Sequence, residues 1–432
     1  MNPKSKPLAD VGAIVELTID EIGSRGDGIG QWKDAPVFVP FAVPGDRLKL
    51  RLGATREKGR TAEIVEIIAP GSARGVPACR HFGLCGGCAL QHLTDDSYAA
   101  WKRDQVQAAL SHRGFENVEV GALIRTSARS RRRANLKAMC RGAEVLLGFY
   151  ERASHRVVDV GECPVLLPDI EKFIPPLRAL LQKLLRPGEQ AEIDVTMATS
   201  GLDVTIAAGF DAHMKTRTIL AQFGEEQDLA RVNWLSRDKD TPEPIVIRRP
   251  VTLELGGVSV DLPPRAFLQP SLTGEAALIE RVTAACAGKK RIADLYSGCG
   301  TFSLPLAKMS RVQAFESDAA MVAALNNAAK RANLAQKVTA ETRDLDRRPL
   351  PASDLDNFDA VVFDPPRPGA KRQSEEIARS KVPMVIAVSC NPASFSRDAR
   401  ILADGGYRIE SIAPLDQFLW SPHVEVIAVF RK

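Results

Sequence analysis

Between residues 12 and 69 short apolar runs (AIVELTI, PVFVPF, RLKLRL and AEIVEII) alternate with turn signals. The breaks fall at 23–28, a Gly-Ser-Arg-Gly-Asp-Gly stretch, and at Pro44, Gly45 and Asp46. This pattern predicts a small all-β domain. From Arg47 to Leu52 the alternation is strict, so one strand face is apolar and the other basic. Arg56, Lys58 and Arg60 follow at once. Two readings fit that face. It is either the single-stranded nucleic-acid surface of an OB-like barrel, or the solvated side of a half-buried edge strand.

Residues 71–93 read as loop and carry three cysteines, and a helix is predicted over 96–114, closing at Gly114. From about 125 to 265 come strand-like runs (NLKAMC, EVLLGFY, EIDVTMA, LDVTIAA, PIVIRR and VTLEL) interrupted by the helical stretch DIEKFIPPLRALLQKLL. That region predicts an α+β domain. From about 266 onward strands and helices alternate, as in a parallel doubly wound sheet. Pro-containing stretches at 240–250 and 263–270 mark a candidate junction, and neither internal repeat nor low-complexity tract is present.

The chain has 432 residues, 45% hydrophobic and 26% charged, which excludes wholesale disorder. Its 58 Lys+Arg against 53 Asp+Glu leave only +5, too little to indicate nucleic acid from the average. The distribution says more. Seven basic residues fall within 125–141 (Arg125, Arg129, Arg131, Arg132, Arg133, Lys137 and Arg141) with no acidic residue among them. Such a run is either a solvated face or a phosphate-binding one. No apolar run approaches the roughly 18 residues of a membrane span, and the first residues lack the apolar stretch of a secretion signal. The expected compartment is the cytoplasm, where the eight cysteines are ligands or nucleophiles rather than a disulfide scaffold.

Residues 291–296 form a predicted strand, and Ser297, Gly298, Cys299 and Gly300 make a glycine turn before a helix that starts near Thr301. Glycines at such a turn let the backbone approach a ligand closely. The dinucleotide fingerprint G-x-G-x-x-G is absent, because Ser303 takes the third glycine's place. The next strand ends in Glu316, 22 residues after Asp294, where a carboxylate can accept both hydroxyls of a ribose. A third strand ends in Asp344, placed to meet an adenine amine, and a fourth runs into Asp364, Pro365, Pro366 and Arg367. Four strand ends in this order resemble the class I S-adenosylmethionine-dependent methyltransferase fold.

One strand later, Ser389, Cys390, Asn391 and Pro392 put a thiol at the carboxyl edge of the sheet, where open α/β sheets bind ligands. The bland alternative is a small packed hydrophobe. Glu425, just before the last strand, is a candidate base, with an ordinary turn glutamate as its alternative. Thiol and carboxylate together suit methylation of a pyrimidine at C5. A thiolate adding to C6 makes C5 nucleophilic, and a base must then remove the C5 proton before the thiol leaves. Such a thiol is expected to have a lowered pKa.

These residues identify the chain as similar to the RNA uracil-5-methyltransferases, in the branch with a TRAM domain and an iron–sulfur cluster. The resemblance is carried by Asp294 to Gly300, Asp364 to Ala370, Ser389 to Pro392 and His423 to Glu425. It implies Cys390 as nucleophile, Glu425 as proton acceptor, and methyl-donor contacts from Gln269, Tyr296, Glu316 and Asp364. Gly298, Gly300, Thr301 and Asp344 fall at further cofactor-binding positions. Relatives often have Asn where this chain has Ser271 and Thr301. RNA cytosine-5-methyltransferases usually carry a cysteine inside the Asp-Pro motif, which is missing here, and adenine amino-methyltransferases need no thiol.

Cys79, Cys85 and Cys88, with the distant Cys163, form a possible four-thiolate set that suits zinc or an iron–sulfur cluster; spacing alone does not choose. The resemblance implies a non-catalytic [4Fe–4S] cluster with Cys163 as fourth ligand. Cys140 and Cys286 read as packing residues, and Cys299 has no assigned task. Arg129, Arg131, Arg132, Arg133 and Lys137 are the candidate RNA contacts, and Phe82, His81 and His92 either stack on bases or pack locally. The expected architecture is an OB-like barrel over 1–70, a central iron–sulfur and RNA-binding domain from 71–93 and 126–265, and a methyltransferase domain from 94–125 and 266–432. The expected substrate is a flipped uridine of 23S ribosomal RNA, met by a monomeric enzyme. Transfer RNA is the alternative substrate, and a non-catalytic RNA assembly factor or an iron–sulfur redox protein the alternative kind of molecule.

Overall fold

The computed structural model describes residues 10–56 and 59–432, so Lys58 and the first nine residues lie outside it. The described chain forms two compact units. One runs to Gln105 and includes Trp420–Pro422; the other holds Val106–Leu419 and His423–Lys432. Among the described residues no helix is long and apolar enough to cross a membrane.

The first unit is built on six strands: β1 (Ile14–Thr18), β2 (Glu21–Ile22), β3 (Asp27–Trp32), β4 (Ala35–Pro40), β5 (Arg47–Arg56) and β6 (Gly59–Ala69). They lie in the order β1-β5-β6-β4-β3-β2, antiparallel except where β4 meets β6. The strict alternation of β5 works as expected: Leu48, Leu50 and Leu52 are buried with Leu17, Val37 and Val39. Its other face is not a basic stripe. Arg47 and Lys49 stand 3.8 and 3.9 Å from Glu16 and Glu66, and Arg51 lies opposite Glu63. Neighbouring strands therefore supply the counter-charges, which makes this a mixed ladder. In the cysteine loop Phe82 stacks on His92 at 5.5 Å with Phe41 edge-on to Phe82 at 5.1 Å, so these rings pack locally.

The second unit holds two large sheets. Strand β7 (Ile124–Arg125) belongs to the later one. The earlier one has seven strands: β8 (Arg133–Arg141), β9 (Glu144–Tyr150), β10 (Val157–Asp159), β11 (Gln190–Ala198), β12 (Gly201–Ala208), β13 (Arg231–Ser236) and β14 (Glu243–Ile247), in the order β10-β9-β8-β11-β12-β13-β14. Its apolar face is covered by helix Pro168–Leu184 through Ile170, Phe173, Ile174 and Leu177. A second helix, Met214–Glu226, was not legible in the sequence, because it buries only Leu220, Phe223 and Gly224 and so has hardly any apolar stripe. The hairpin β15 (Thr252–Leu255) and β16 (Val258–Asp261) follows, then helix Leu272–Ala285.

The last sheet contains β17 (Arg291–Leu295), β18 (Arg311–Glu316), β19 (Val338–Thr342), β20 (Ala360–Phe363), β21 (Met384–Ser389), β22 (Arg408–Asp416) and β23 (Glu425–Arg431). The order is β19-β18-β17-β20-β21-β23-β22-β7. All pairs are parallel except those of β23, which runs against β21 and β22. The expected α/β doubly wound class is borne out. The order reverses between β17 and β20, and the carboxyl ends of these strands open a crevice there. The helix expected from Thr301 shrinks to the single turn Ser303–Leu306, because the chain must enter β18 at Arg311.

One basic-run expectation is corrected. Arg132 is 2% exposed and pairs with the buried Glu275 at 2.5 Å, so it is no RNA contact. Its Nε also donates to the Gln269 carbonyl at 3.0 Å, and its backbone N–H donates to Pro270. Arg132 thus ties the seven-stranded sheet to the segment that carries Gln269. Removing one partner of a buried ion pair strands the other. Arg132→Ala should therefore cost about 3 kcal/mol or more of unfolding free energy, measured by urea denaturation.

Candidate active site

The crevice holds a cavity of about 420 Å³. Its lining comes almost wholly from strand ends. Tyr296, Ser297 and Gly298 follow β17, Glu316 ends β18, and Arg343, Asp344 and Asp346 follow β19. Asp364, Pro365 and Arg367 follow β20, and Cys390 follows β21. Glu425 opens β23, whose reversed direction brings its first residue to the same edge. Phe267, Phe302, Met321, Leu345 and Phe418 supply apolar walls. The class of group these residues fit is a cationic nucleoside: flat apolar walls, and carboxylates at four strand ends.

The glycine turn works through its backbone. Gly298 has φ +55° and donates its N–H to Glu316 at 3.0 Å. Gly300 has φ +99°, and a Cβ there would come within 2.5 Å of Leu325, so only glycine fits. Gly300 shapes the turn and does not line the cavity, whereas Thr301 does. The other Glu316 oxygen accepts the backbone N–H groups of Ser317 and Asp318 at 2.7 and 2.9 Å. Asp344 accepts from the N–H groups of Asp346 and Arg347, and Tyr296 donates its hydroxyl to Asp346 at 3.2 Å. Ser271 does not line the cavity; it caps helix Leu272–Ala285 by accepting from Gly274 at 3.0 Å.

Around the thiol the chain is pinned. Asn391 caps the helix Pro392–Asp404, and its side-chain amide donates to the Arg367 carbonyl at 3.1 Å. Ser394 donates to the same carbonyl at 3.0 Å, which fixes the Asp364–Arg367 turn beside Cys390. Burial pushes the Cys390 thiol up to about 11, reinforced by Glu425 and Asp364 and opposed by Arg367. The lowered thiol pKa expected from the chemistry is therefore not what this pocket provides. Two carboxylates close by disfavour the thiolate.

A chain of side chains that sequence reading did not foresee runs beneath the cavity. Gln269 donates to Asp364 at 2.8 Å, and its carbonyl oxygen accepts from Gln417 at 2.9 Å. The same Gln417 nitrogen donates to Glu425 Oε2 at 2.5 Å. Glu425 is 2% exposed, and its Oε1 has no hydrogen-bond partner among the described residues. Burial pushes Glu425 well above the usual carboxylate range, Asp364 adds to this, and the Gln417 hydrogen bond opposes it. Asp364 is likewise pushed up by burial, to about 7. Gln417 directly follows β22, two residues after Leu415, which pairs with Glu425; only that pairing, invisible in one sequence, brings it here.

Of the remaining basic candidates, Arg129 pairs with Glu171 at 2.5 Å and Lys137 with Glu192 at 2.7 Å. Arg131 and Arg133 line a second cavity of about 210 Å³, with Arg265, Asn135 and Asp194, that shares Phe267 and Phe418 with the first. Burial lowers the pKa of Arg133; Asp194 opposes this, while Arg131, Arg132 and Arg265 add to it, a local excess of positive charge. Cys140 and Cys286 are buried packing residues, as expected. Of the four candidate cluster ligands, Cys79, Cys85 and Cys88 lie in the first unit and Cys163 in the second. Among the described residues no three His, Cys, Asp or Glu side chains converge as a metal-holding group. The Gly87 N–H donates to Cys85 Sγ at 3.4 Å.

Comparison with known proteins agrees with this geometry. Residues 258–432 match the model of the tRNA (uracil-5-)-methyltransferase family. An RNA methyltransferase of Mesorhizobium japonicum, called uncharacterized, is 42% identical, with 96% of this chain and 98% of that one covered. The 23S rRNA (uracil(1939)-C(5))-methyltransferase RlmD of Halomonas elongata is 32% identical over 95% of this chain and 88% of its own. Among solved structures, the tRNA (uracil-54, C5)-methyltransferase of Pyrococcus abyssi in complex with S-adenosyl-L-homocysteine superposes with a TM-score of 0.74. It is 24% identical, with 96% of this chain and all of that one covered.

Proposed function

Because the chain belongs to the RNA uracil-5-methyltransferase family and uses S-adenosylmethionine, we propose that it methylates one uridine of 23S ribosomal RNA through a covalent adduct between Cys390 and C6. The observation that carries the proposal is the pairing of Cys390 with Glu425 in one cavity, where Glu425 has one oxygen held and the other unpartnered. The ribosomal assignment is supported by the 32% identity to the Halomonas enzyme over nearly the whole chain. The alternative, a tRNA uridine, has the Pyrococcus relative at 24%. Mapping 5-methyluridine in ribosomal and transfer RNA from cells lacking the gene tests both. A methyl group missing from tRNA alone would overturn the ribosomal reading.

The methyl donor, when bound, supplies an electrophilic methyl on a positive sulfonium. Tyr296, Glu316, Asp344 and Thr301 would hold its nucleoside, and Asp364 and Gln269 its charged end. Cys390 Sγ bonds to C6 of the flipped uracil, giving its proton to a neighbouring carboxylate. The electron pair displaced onto C5 would then form the new carbon–carbon bond with the methyl group, as the donor's sulfur–methyl bond breaks and a neutral thioether leaves. Glu425 takes the C5 proton, and the C6–S bond breaks to restore both ring and thiol. Arg131 and Arg133, beside the base pocket, would hold the backbone phosphates.

Asp364 makes donor affinity pH-dependent. Below about 7 it is protonated and neutral, and above that it opposes the sulfonium charge. S-adenosylmethionine should therefore bind more weakly at about pH 6 than at about pH 8, while S-adenosylhomocysteine, which lacks the sulfonium charge, changes less. Calorimetric titration of both ligands checks this, and parallel pH curves would remove Asp364 as the charge partner.

We also infer that Cys79, Cys85 and Cys88 of the first unit ligate a [4Fe–4S] cluster with a structural role, since they are all soft thiolates and methyl transfer involves no redox step. Protein purified without oxygen should contain about four iron and four sulfide per chain. Stoichiometric zinc in their place overturns the cluster.

A further inference from the structure

We propose that Gln417 is the positioning residue of the proton-abstraction step: its side-chain amide holds Glu425 as an acceptor and turns over to accept from it once the proton has been taken. The inference rests on Glu425 being the base.

The hydrogen-bond inventory leads there. One Gln417 nitrogen gives both of its hydrogens, one to Gln269 at 2.9 Å and one to Glu425 Oε2 at 2.5 Å. A carboxylate can only accept, so this arrangement favours the ionised base. Glu425 Oε1 is thereby left without a hydrogen-bond partner among the described residues, on a side chain that lines the cavity with Cys390, and we assign it the C5 proton. The Gln417 carbonyl oxygen is itself buried without a hydrogen-bond partner among the described residues. A buried amide oxygen left unmatched is costly. A half-turn of the amide, made together with that of Gln269 so that the Gln269 nitrogen then faces it, exchanges its oxygen and nitrogen and lets that oxygen accept from Glu425 once the carboxyl carries a proton. No bond is made or broken in Gln417 itself. The proton goes from C5 to Glu425, and leaves when the base is reset. Gln269 joins this amide to Asp364 at 2.8 Å, so the orientation of the base is tied to the carboxylate at the methyl-donor end. The Gln417 hydrogen bond also opposes the upward push of burial on Glu425.

The test uses the full-length protein and ribosomal RNA from cells lacking the gene. Gln417→Met keeps the volume and removes both donors and the acceptor. It should lower kcat roughly tenfold or more, with KM for RNA and affinity for S-adenosylhomocysteine within about twofold. The acidic limb of the kcat–pH profile should move to higher pH, because the ionised base has lost a hydrogen bond. RNA carrying deuterium at uridine C5 should show a larger isotope effect on kcat than with the unaltered chain, and methylated RNA should accumulate in covalent complex. Gln417→Glu is the second variant. A further acid beside Glu425 should move the same limb in the same direction. If pH profile and isotope effect match the unaltered chain in both variants, Gln417 only fills space and the proposal falls. If Glu425→Gln itself releases product normally, it is the base assignment that falls.

Discussion

Cys390→Ala should lower methyl transfer by on the order of 10⁶-fold, the scale seen when a covalent nucleophile is removed. It should also abolish the covalent complex with RNA containing 5-fluorouridine. The reason lies in the ring. C5 of uracil is a weak nucleophile until a group adds at C6, and no oxygen or nitrogen nucleophile in the cavity can replace the sulfur. With fluorine at C5 there is no proton for the base to take, so the adduct of the unaltered chain persists and migrates as a shifted band on a denaturing gel. Loss of that band separates a missing nucleophile from poor RNA binding. Cys299 lies in the glycine turn after β17, but it is 2% exposed, and burial pushes it up to about 12. It is a poor substitute. A surviving adduct in Cys390→Ala would show that another thiol carries the reaction.

Glu425→Gln should act one step later. Attack and methyl transfer need no base at C5, so both proceed. The C5 proton then has no acceptor, and turnover falls by roughly 10²–10⁴-fold. Enzyme should accumulate bound through Cys390 to RNA that is already methylated, seen as a heat-stable complex whose mass includes the methyl group. The substitution is nearly isosteric, and the facing Gln417 amide can turn to match it, so the pocket should keep its shape. A variant that fails to accumulate this complex, yet still attacks 5-fluorouridine, would mean that another group removes the proton.

Much of this site was legible along the chain because each part sits at the end of a strand. Gly298 and Gly300, Glu316, Asp344, Asp364 and Cys390 each follow an apolar run, and a parallel sheet brings such ends to one edge. Arg132 was not legible. Within the basic run it looks like its neighbours Arg131 and Arg133, yet it is buried against Glu275, 143 residues away. Charge shows in sequence, but its counter-charge does not. The same holds for Arg47 and Lys49, whose glutamates arrive on adjacent strands. Gln417 carried no signal, since a glutamine after a strand is ordinary until Gln269 and Glu425 are placed on either side of it.

The sequence by itself determined the alternating chemistry of the strands, the glycine turn, the thiol and the two carboxylates, because periodicity and residue type are local properties. Only the tertiary structure decided their electrical state. It buried Glu425, Asp364 and Cys390 around one cavity, so that burial pushes all three pKa values up, Asp364 adds to the push on Glu425, and both carboxylates add to the push on Cys390. Desolvation and charge coupling act over a few ångströms in space, whatever the separation in the chain. That is why a thiol expected to have a lowered pKa has a raised one beside its base.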